Sequence, residues 1–325
     1  MYKIQGLDFP DSATYAVDKE AFASRDDWRR NNVDMLIKEL SDSVRSVKPH
    51  VQFGISPFGV WRNNDKDSTG SATKAGQTCY DDLYADALKW QKEKWIDYVL
   101  PQIYWSIGFK VADYKIIAEW WNKNNYGVPV YIGQAAYRVG NHTDENWKQP
   151  DQLPKQLRLN RQLNNVQGTA FFSSKSFQNN SLGMNDSLRM LYMHPALTPQ
   201  IKKNLHQPKG DYAIQFIGRE NGIQLLWAET NPTDSLSSHC RYIVYRFNKK
   251  EKINLSDPSK IIKLLPAQNN NQGQSFIDPT AKKRKRYQYV VTSLDLFNRE
   301  SSAAFSYSIL NRKNCWRVFK RGVVN

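Results

Sequence analysis

The first two-thirds of the chain alternate between amphipathic stretches with helical spacing and short runs that are apolar throughout. In "SRDDWRRNNVDMLIKELSDSVRSVKP", Val33, Ile37, Leu40, Val44 and Val47 recur at helical intervals. Ser24 stands where an N-cap belongs, Asp26 and Asp27 suit the positive end of the helix dipole, and Pro49 marks the exit. The apolar run "VQFGISPFGV" (51–60) follows. "YADALKWQKEKW" predicts a helix before "DYVLPQIYW" (97–105), "DYKIIAEWWNKNN" one before "VPVYIGQAAYR" (128–138), and "PDQLPKQLRLNRQLNN" one before "VQGTAFFSS" (166–174). Strands that are apolar rather than alternating are buried on both faces, which predicts a parallel sheet with helical crossovers. Strand starts roughly 30 to 45 residues apart match single βα units.

After Pro208 the pattern changes to period two. "GIQLLWA", "CRYIVYRFN", "KIIKLLP", "QSFIDP", "YQYVVTSLD" and "AAFSYSI" are short strands separated by Asn, Gly, Pro and Ser, as in an antiparallel β-sandwich. Trp227 on an early strand, "YIVYRF" in the middle and "YQYVVTSLDLFNRES" near the end resemble an immunoglobulin/fibronectin type III module. No Gly-rich phosphate loop stands at any strand–helix junction, which argues against nucleotide-binding α/β folds. Four parallel strands leave two open edges and cannot close a (β/α)8 barrel. The expected organisation is therefore α/β plus all-β. Residues 1–207 read as about the last four βα units of a TIM barrel, 208–310 as a fibronectin III-like β-sandwich, and 311–325 as a basic tail outside the strand pattern.

Charge changes this picture little. Of the net +15, residues 1–209 contribute 27 basic against 22 acidic side chains and residues 210–325 contribute 19 against 9. Much of the second excess lies in "KKRKR" (282–286) and the last fifteen residues. A basic run in a hairpin loop reads as solvated surface, so no nucleic-acid partner is expected. Attraction to an anionic envelope polymer is a comparable electrostatic reading. Cys79, Cys240 and Cys315 show no metal-ligand spacing, and neither a metal nor a cofactor is expected. No apolar run is long enough for a transmembrane helix, and the first residues have no signal-peptide core. The oligomeric state is not encoded in any legible way. Aromatics make up 13% of the chain, which suits either a Trp-rich core or stacking platforms for sugars.

In parallel α/β sheets, chemistry sits at the carboxyl ends of strands. The four predicted strands end in Trp61, Arg62 and Asn63; in Gln102, Tyr104 and Trp105; in Gln134, Tyr137 and Arg138; and in Ser173, Ser174 and Lys175. Aromatic rings beside amide and cationic donors suit a saccharide, which stacks through its ring and hydrogen-bonds through its hydroxyls. The bland alternative is that each polar end is where a strand meets water. Glycoside hydrolysis needs two carboxylates, and no Asp or Glu lies at these strand ends. Asp81 and Asp82 are the weak catalytic candidates, and Asp82 serves equally well as a helix cap. His142 stands alone in its loop.

"FGISPFGVWRN", "YADALKWQKEKWIDYVLPQIYWSIGF" and "VPVYIGQAAYR" together resemble the glycosyl hydrolase-like 10 family over about residues 1–205. The resemblance implies a TIM barrel, an envelope or secreted location, and glycoside hydrolase activity on a bacterial cell-wall or other polysaccharide. One activity of the family is on peptidoglycan glycan strands stripped of peptides. It also implies that the family's tandem acidic motif lies upstream of "YKIQGLDFPDSATYA". On that reading the chain is truncated, lacks its main catalytic carboxylates and is inactive in isolation. The rival expectation is a non-catalytic glycan-binding or scaffold protein.

Overall fold

The computed structural model describes residues 9–198, 212–229, 241–267, 273–282, 285–302, 306–312 and 315–321. The chain divides into two units, Met1–Leu191 and Tyr192–Asn325; the boundary expected at 207/208 lies outside the described residues.

In the first unit the order is α1 (Ser12–Asp18), α2 (Arg25–Val47), β1 (Gly54–Ile55), α3 (Cys79–Asp82), α4 (Ala87–Lys92), β2 (Tyr98–Val99), α5 (Tyr114–Lys123), β3 (Val130–Gln134), α6 (Gln152–Asn160), β4 (Val166–Phe171) and α7 (Met184–Leu191). The four strands form one parallel sheet in chain order. Helix α2 starts as its sequence dictates: the Ser24 hydroxyl accepts the Asp27 N–H at 3.1 Å. Its buried face is more polar than the aliphatic spacing foretold. Arg29, Asp34, Ile37 and Ser41 turn inward, while Leu40 and Val47 are exposed. Asp34 accepts Trp90 Nε1 at 2.6 Å and Lys89 Nζ at 2.7 Å, and Ser41 donates to the Trp95 carbonyl at 2.5 Å. Donors of this kind are what allow a carboxylate to be buried beneath a helix.

Strands β1 and β2 are shorter than their apolar runs because Pro57 and Pro101 offer no amide to the ladder. Pairing resumes beyond them only as single bridges, Phe58 to Gln102 and Gln102 to Gly133. Val99, Ile103, Val130 and Ile132 are fully buried in one core with Ile117, Ala118 and Trp121 of α5 and Leu88 and Trp90 of α4. The opposite face carries Tyr98, Leu100, Tyr131 and Ala170, all only partly buried. Full burial of both strand faces, expected from the lack of alternation, therefore holds on the helix side alone. Gly54 is required on the open face: a Cβ there would lie 2.4 Å from the ring of Tyr98. That ring packs edge-on against Tyr131 at 5.7 Å.

The strands described in the second unit pair antiparallel. Strands β5 (Tyr212–Arg219), β6 (Gly222–Glu229), β7 (Arg241–Asn248), β8 (Ile261–Pro266), β9 (Gln274–Asp278), β10 (Arg286–Leu294), β11 (Ser306–Arg312) and β12 (Cys315–Arg321) form two sheets. Their orders are β5-β6-β9 and β12-β11-β10-β7-β8. Ile223, Leu225 and Trp227 of the first sheet share a core with Val244, Tyr289 and Val291 of the second. Asp278 of β9 ties the sheets together, accepting the Tyr289 hydroxyl at 2.6 Å and Arg246 Nη1 at 2.7 Å. Burial alone would raise its pKa, but hydrogen bonds from Tyr289 and Thr280 and the charge of Arg246 hold it below the usual carboxylate range. One expectation is corrected: residues 315–321, read as tail, form β12, paired with β11 from Ser306–Arg321 to Arg312–Cys315. Their apolar positions, Trp316, Val318 and Phe319, lie among five cations in 312–321, and this charge masked the strand pattern.

Candidate functional site

The carboxyl ends of β2, β3 and β4 are drawn together by backbone bonds that continue past the regular ladder. Ile103 N–H donates to the Gly133 carbonyl at 3.0 Å, Phe172 N–H to Gln134 at 2.9 Å, and Tyr137 N–H to Phe172 at 3.3 Å. Gly133 permits this convergence, since a Cβ would meet Leu100 Cδ2 at 3.1 Å and the Pro101 carbonyl at 3.2 Å. The Phe172–Ser173 peptide is cis. At this rim three rings meet. Tyr104 stacks on Phe172 at 6.2 Å, and Tyr137 stands edge-on to Tyr104 at 6.2 Å and to Phe172 at 6.0 Å. Tyr137 is 43% exposed and Phe172 is 58% exposed, large values for rings inside a contact cluster.

Arg138 completes the cluster. Its Nη1 donates to the Tyr104 carbonyl, its Nε donates to the Tyr137 hydroxyl at 3.0 Å, and its guanidinium lies 5.5 Å from the centre of that ring. No carboxylate pairs with Arg138 among the described residues. Burial pushes the Tyr104 hydroxyl above its ordinary pKa, with Tyr137 adding to the shift and Arg138 opposing it. Burial and then the Arg138 charge hold His142 below its ordinary value, against Asp144. Asp144 is engaged by the Ser106 hydroxyl at 2.5 Å and by Asn146 N–H at 3.1 Å. Gln102, partly buried, donates to the Ser56 carbonyl at 3.1 Å, which joins the end of β1 to the rim. Lys175 is exposed in the 3-10 turn Ser174–Phe177 that follows β4.

The remaining candidates sit elsewhere. Trp61 is 5% exposed, stacked 5.8 Å from Trp120 and bonded through Nε1 to Asp86 at 3.2 Å, so it is core and presents no face to a ligand. Gln134 is fully buried on the helix side, where its Nε2 donates to the Tyr114 hydroxyl at 2.8 Å. Trp105 packs edge-on against Phe58 at 5.4 Å and covers Gly59. Arg62 is held by Asp81 through Nε at 3.0 Å and by Asp67 through Nη1 at 3.2 Å, and it lies over the Tyr80 ring. Burial disfavours the Arg62 charge, but the two carboxylates more than compensate and raise its pKa. Asn63 uses both ends of its amide to fix the loop, donating to the Ala75 carbonyl and accepting from Ala75 N–H, both at 2.9 Å.

Asp81 and Asp82 are held in structural roles. Thr78 caps α3 by accepting the Asp81 N–H at 3.3 Å, and Asp82 accepts the Thr78 N–H at 2.7 Å in return. Phe172 is the rim residue that strand-end reading passed over. Its signal was present in the sequence: alternation from Gly168 through Ala170 places it on the open face of β4. The cluster can stack a ring, donate hydrogen bonds and receive an anionic group. It holds no carboxylate free of structural bonds for acid or nucleophile duty. Among the described residues no group of three or more His, Cys, Asp or Glu converges as a metal site, and no helix is long and apolar enough to cross a membrane.

Comparison with known proteins adds an independent line. Residues 1–149 match the glycosyl hydrolase-like 10 family. The glycosyl hydrolase YngK of Bacillus subtilis (strain 168) is 43% identical over 309 residues, 93% of this chain and 59% of that protein. The glycosyl hydrolase DigH of Escherichia coli (strain K12) is 41% identical over 169 residues, 50% of this chain and 38% of that protein. The chain thus spans less than two-thirds of either relative. Among solved structures, the Clostridium perfringens spore cortex lytic enzyme SleM aligns over 69% of this chain and 67% of that one. Its TM-score is 0.22 at 10% identity, a likeness that carries no argument.

Proposed function

The chain belongs, through residues 1–149, to the glycosyl hydrolase-like 10 family, and we propose that its first unit is the sugar-holding part of a glycoside hydrolase. The observation that carries this reading is the cluster of Tyr104 and Arg138 with the half-exposed rings of Tyr137 and Phe172, gathered at the carboxyl ends of parallel strands. The sheet order β1-β2-β3-β4, with helices between successive strands, supports about four βα units of a TIM barrel. The orders β5-β6-β9 and β8-β7-β10-β11 support a fibronectin III-like sandwich over 208–310.

In this proposal the saccharide lies against Tyr137 and Phe172, Gln102 reaches its hydroxyls, and Arg138 faces a carboxylate substituent. The acid and the nucleophile or base come from strands other than β1–β4, since the acids nearest the rim are committed to caps and ion pairs. The isolated chain therefore binds glycan and does not cleave it. The substrate class is a bacterial cell-wall polysaccharide, with peptide-free peptidoglycan strands as the first choice, and the location is the cell envelope or outside the cell.

A Tyr137→Ala/Phe172→Ala variant tests this directly by calorimetric titration with peptide-free glycan strands. Loss of two stacking partners is expected to weaken binding by about tenfold or more. Unchanged affinity would remove the site. A scaffold reading, in which glycan is bound and never cut, is favoured by the missing carboxylates. It survives only if a full-length enzyme carrying these residues also fails to release sugar.

A further inference from the structure

The charge of the second unit is concentrated at one end of its larger sheet. Strand β7 ends where β10 begins: Tyr287 pairs with Asn248, and Lys249 N–H donates to the Arg286 carbonyl at 3.1 Å. This contact brings together residues far apart in sequence, 248–252 on one side and Lys282 and Lys285 on the other. Lys249, Lys250, Lys252, Lys282 and Lys285 are all exposed.

The acids nearby are committed. Glu251 accepts the backbone N–H and the side-chain amide of Asn248 at 2.8 and 2.9 Å and pairs with Lys260 at 3.1 Å. Asp278 is buried with Arg246. None of the five lysines has a carboxylate partner among the described residues. Tyr287 and Tyr289 are 5% and 0% exposed, so neither offers a platform on which a nucleic-acid base could stack. Lysine ammonium groups are compact, strongly hydrated point charges that suit phosphates without demanding the planar bidentate geometry arginine reads.

We propose that this lysine tip is a second binding site, for a linear polymer of polyol or sugar phosphates that carries no bases. The site is separate from the aromatic rim and does not depend on the hydrolase reading. Its role is to hold the protein on an anionic matrix by charge, while the rim reads individual sugar rings. Five phosphate contacts predict a slope of log affinity against log salt of about −4, or a loss of roughly 250-fold between about 50 and 200 mM salt.

The test is fluorescence anisotropy on the full chain, with labelled poly(glycerol phosphate) and a single-stranded DNA of equal charge. Changing all five lysines to Gln is expected to weaken poly(glycerol phosphate) binding by at least about tenfold at low salt and to flatten the salt slope. The matched loss of Lys38, Lys92, Lys115, Lys123 and Lys155 on the first unit should change affinity by less than about twofold. The block Lys249, Lys250 and Lys252 and the block Lys282 and Lys285 are also changed separately, so that misfolding of one variant does not decide the result. Replacing all five with Arg should restore binding. Equal losses in tip and control variants would overturn the proposal in favour of net charge alone. Tighter binding of DNA than of poly(glycerol phosphate) would overturn it in favour of a nucleic-acid surface.

Discussion

Two strand-end regions of the first unit use the same residue types and arrive at opposite states. After β1, Trp61, Arg62 and Asn63 are spent on the protein itself. The ring is buried against Trp120, the guanidinium is shared by Asp81 and Asp67, and the amide closes a loop onto Ala75. After β2, β3 and β4, Tyr104, Tyr137, Arg138 and Phe172 hold one another yet leave two rings exposed and, among the described residues, one cation without a carboxylate. Residue type at a strand end is therefore a poor guide to function. What separates the regions is whether the polar groups already have partners. The loop 64–78, which must be fixed, consumes its own donors, whereas a rim fixed by backbone bonds between strands keeps its side chains available.

Trp61→Ala is the largest expected break of this contrast. Removing a fully packed indole should cost about 3–5 kcal/mol, and it also takes a hydrogen bond from Asp86, whose pKa burial already raises. Urea denaturation of the first unit should record the loss. The comparison fails if Trp61→Ala instead leaves stability intact and abolishes glycan binding. Asn63→Ala should follow at about 1–3 kcal/mol, through the amide's unmatched backbone partners at Ala75. Glycan affinity of the folded fraction should be unchanged.

The rim should behave in the reverse sense. Phe172→Ala alone is expected to alter stability by less than about 0.5 kcal/mol, as for an exposed position, yet to reduce glycan affinity by several-fold through one lost stacking face. Paired denaturation and titration experiments place each residue on one side of the contrast. A Phe172→Ala variant that is strongly destabilised would make the trio an element of packing.

How far these two regions were legible in the sequence follows from the same physics. The Ser24 cap and the order of helices and parallel strands could be read because local spacing and capping chemistry determine them. Alternation along β3 puts Gln134 on one face with Val130 and Ile132, and all three are buried. An all-apolar strand does not state which of its faces meets the helices, so Gln134 was assigned to the rim while Phe172 was overlooked. Pro57 and Pro101 shortened strands that hydrophobicity alone would extend. The fate of Arg62 depended on Asp81, nineteen residues away across a loop that has no periodicity to read.

The smallest expected effect concerns acid. Hydrogen bonds from the Thr69 hydroxyl and N–H hold Asp67 below its ordinary pKa, with the Arg62 charge adding to them and burial opposing. A carboxylate whose folded pKa is depressed binds fewer protons folded than unfolded in the window between the two values. Its contribution is complete above about pH 4, the unfolded range, and is lost as pH falls through the lower folded value. Asp67→Asn should therefore flatten the acid limb of the first unit's stability profile and leave neutral-pH glycan affinity unchanged. Denaturation midpoints measured from neutral pH downward for both proteins give the check. If Asp67→Asn shifted glycan binding instead, the loop after β1 would have to be counted with the rim, and the division between a spent region and an available one would not stand.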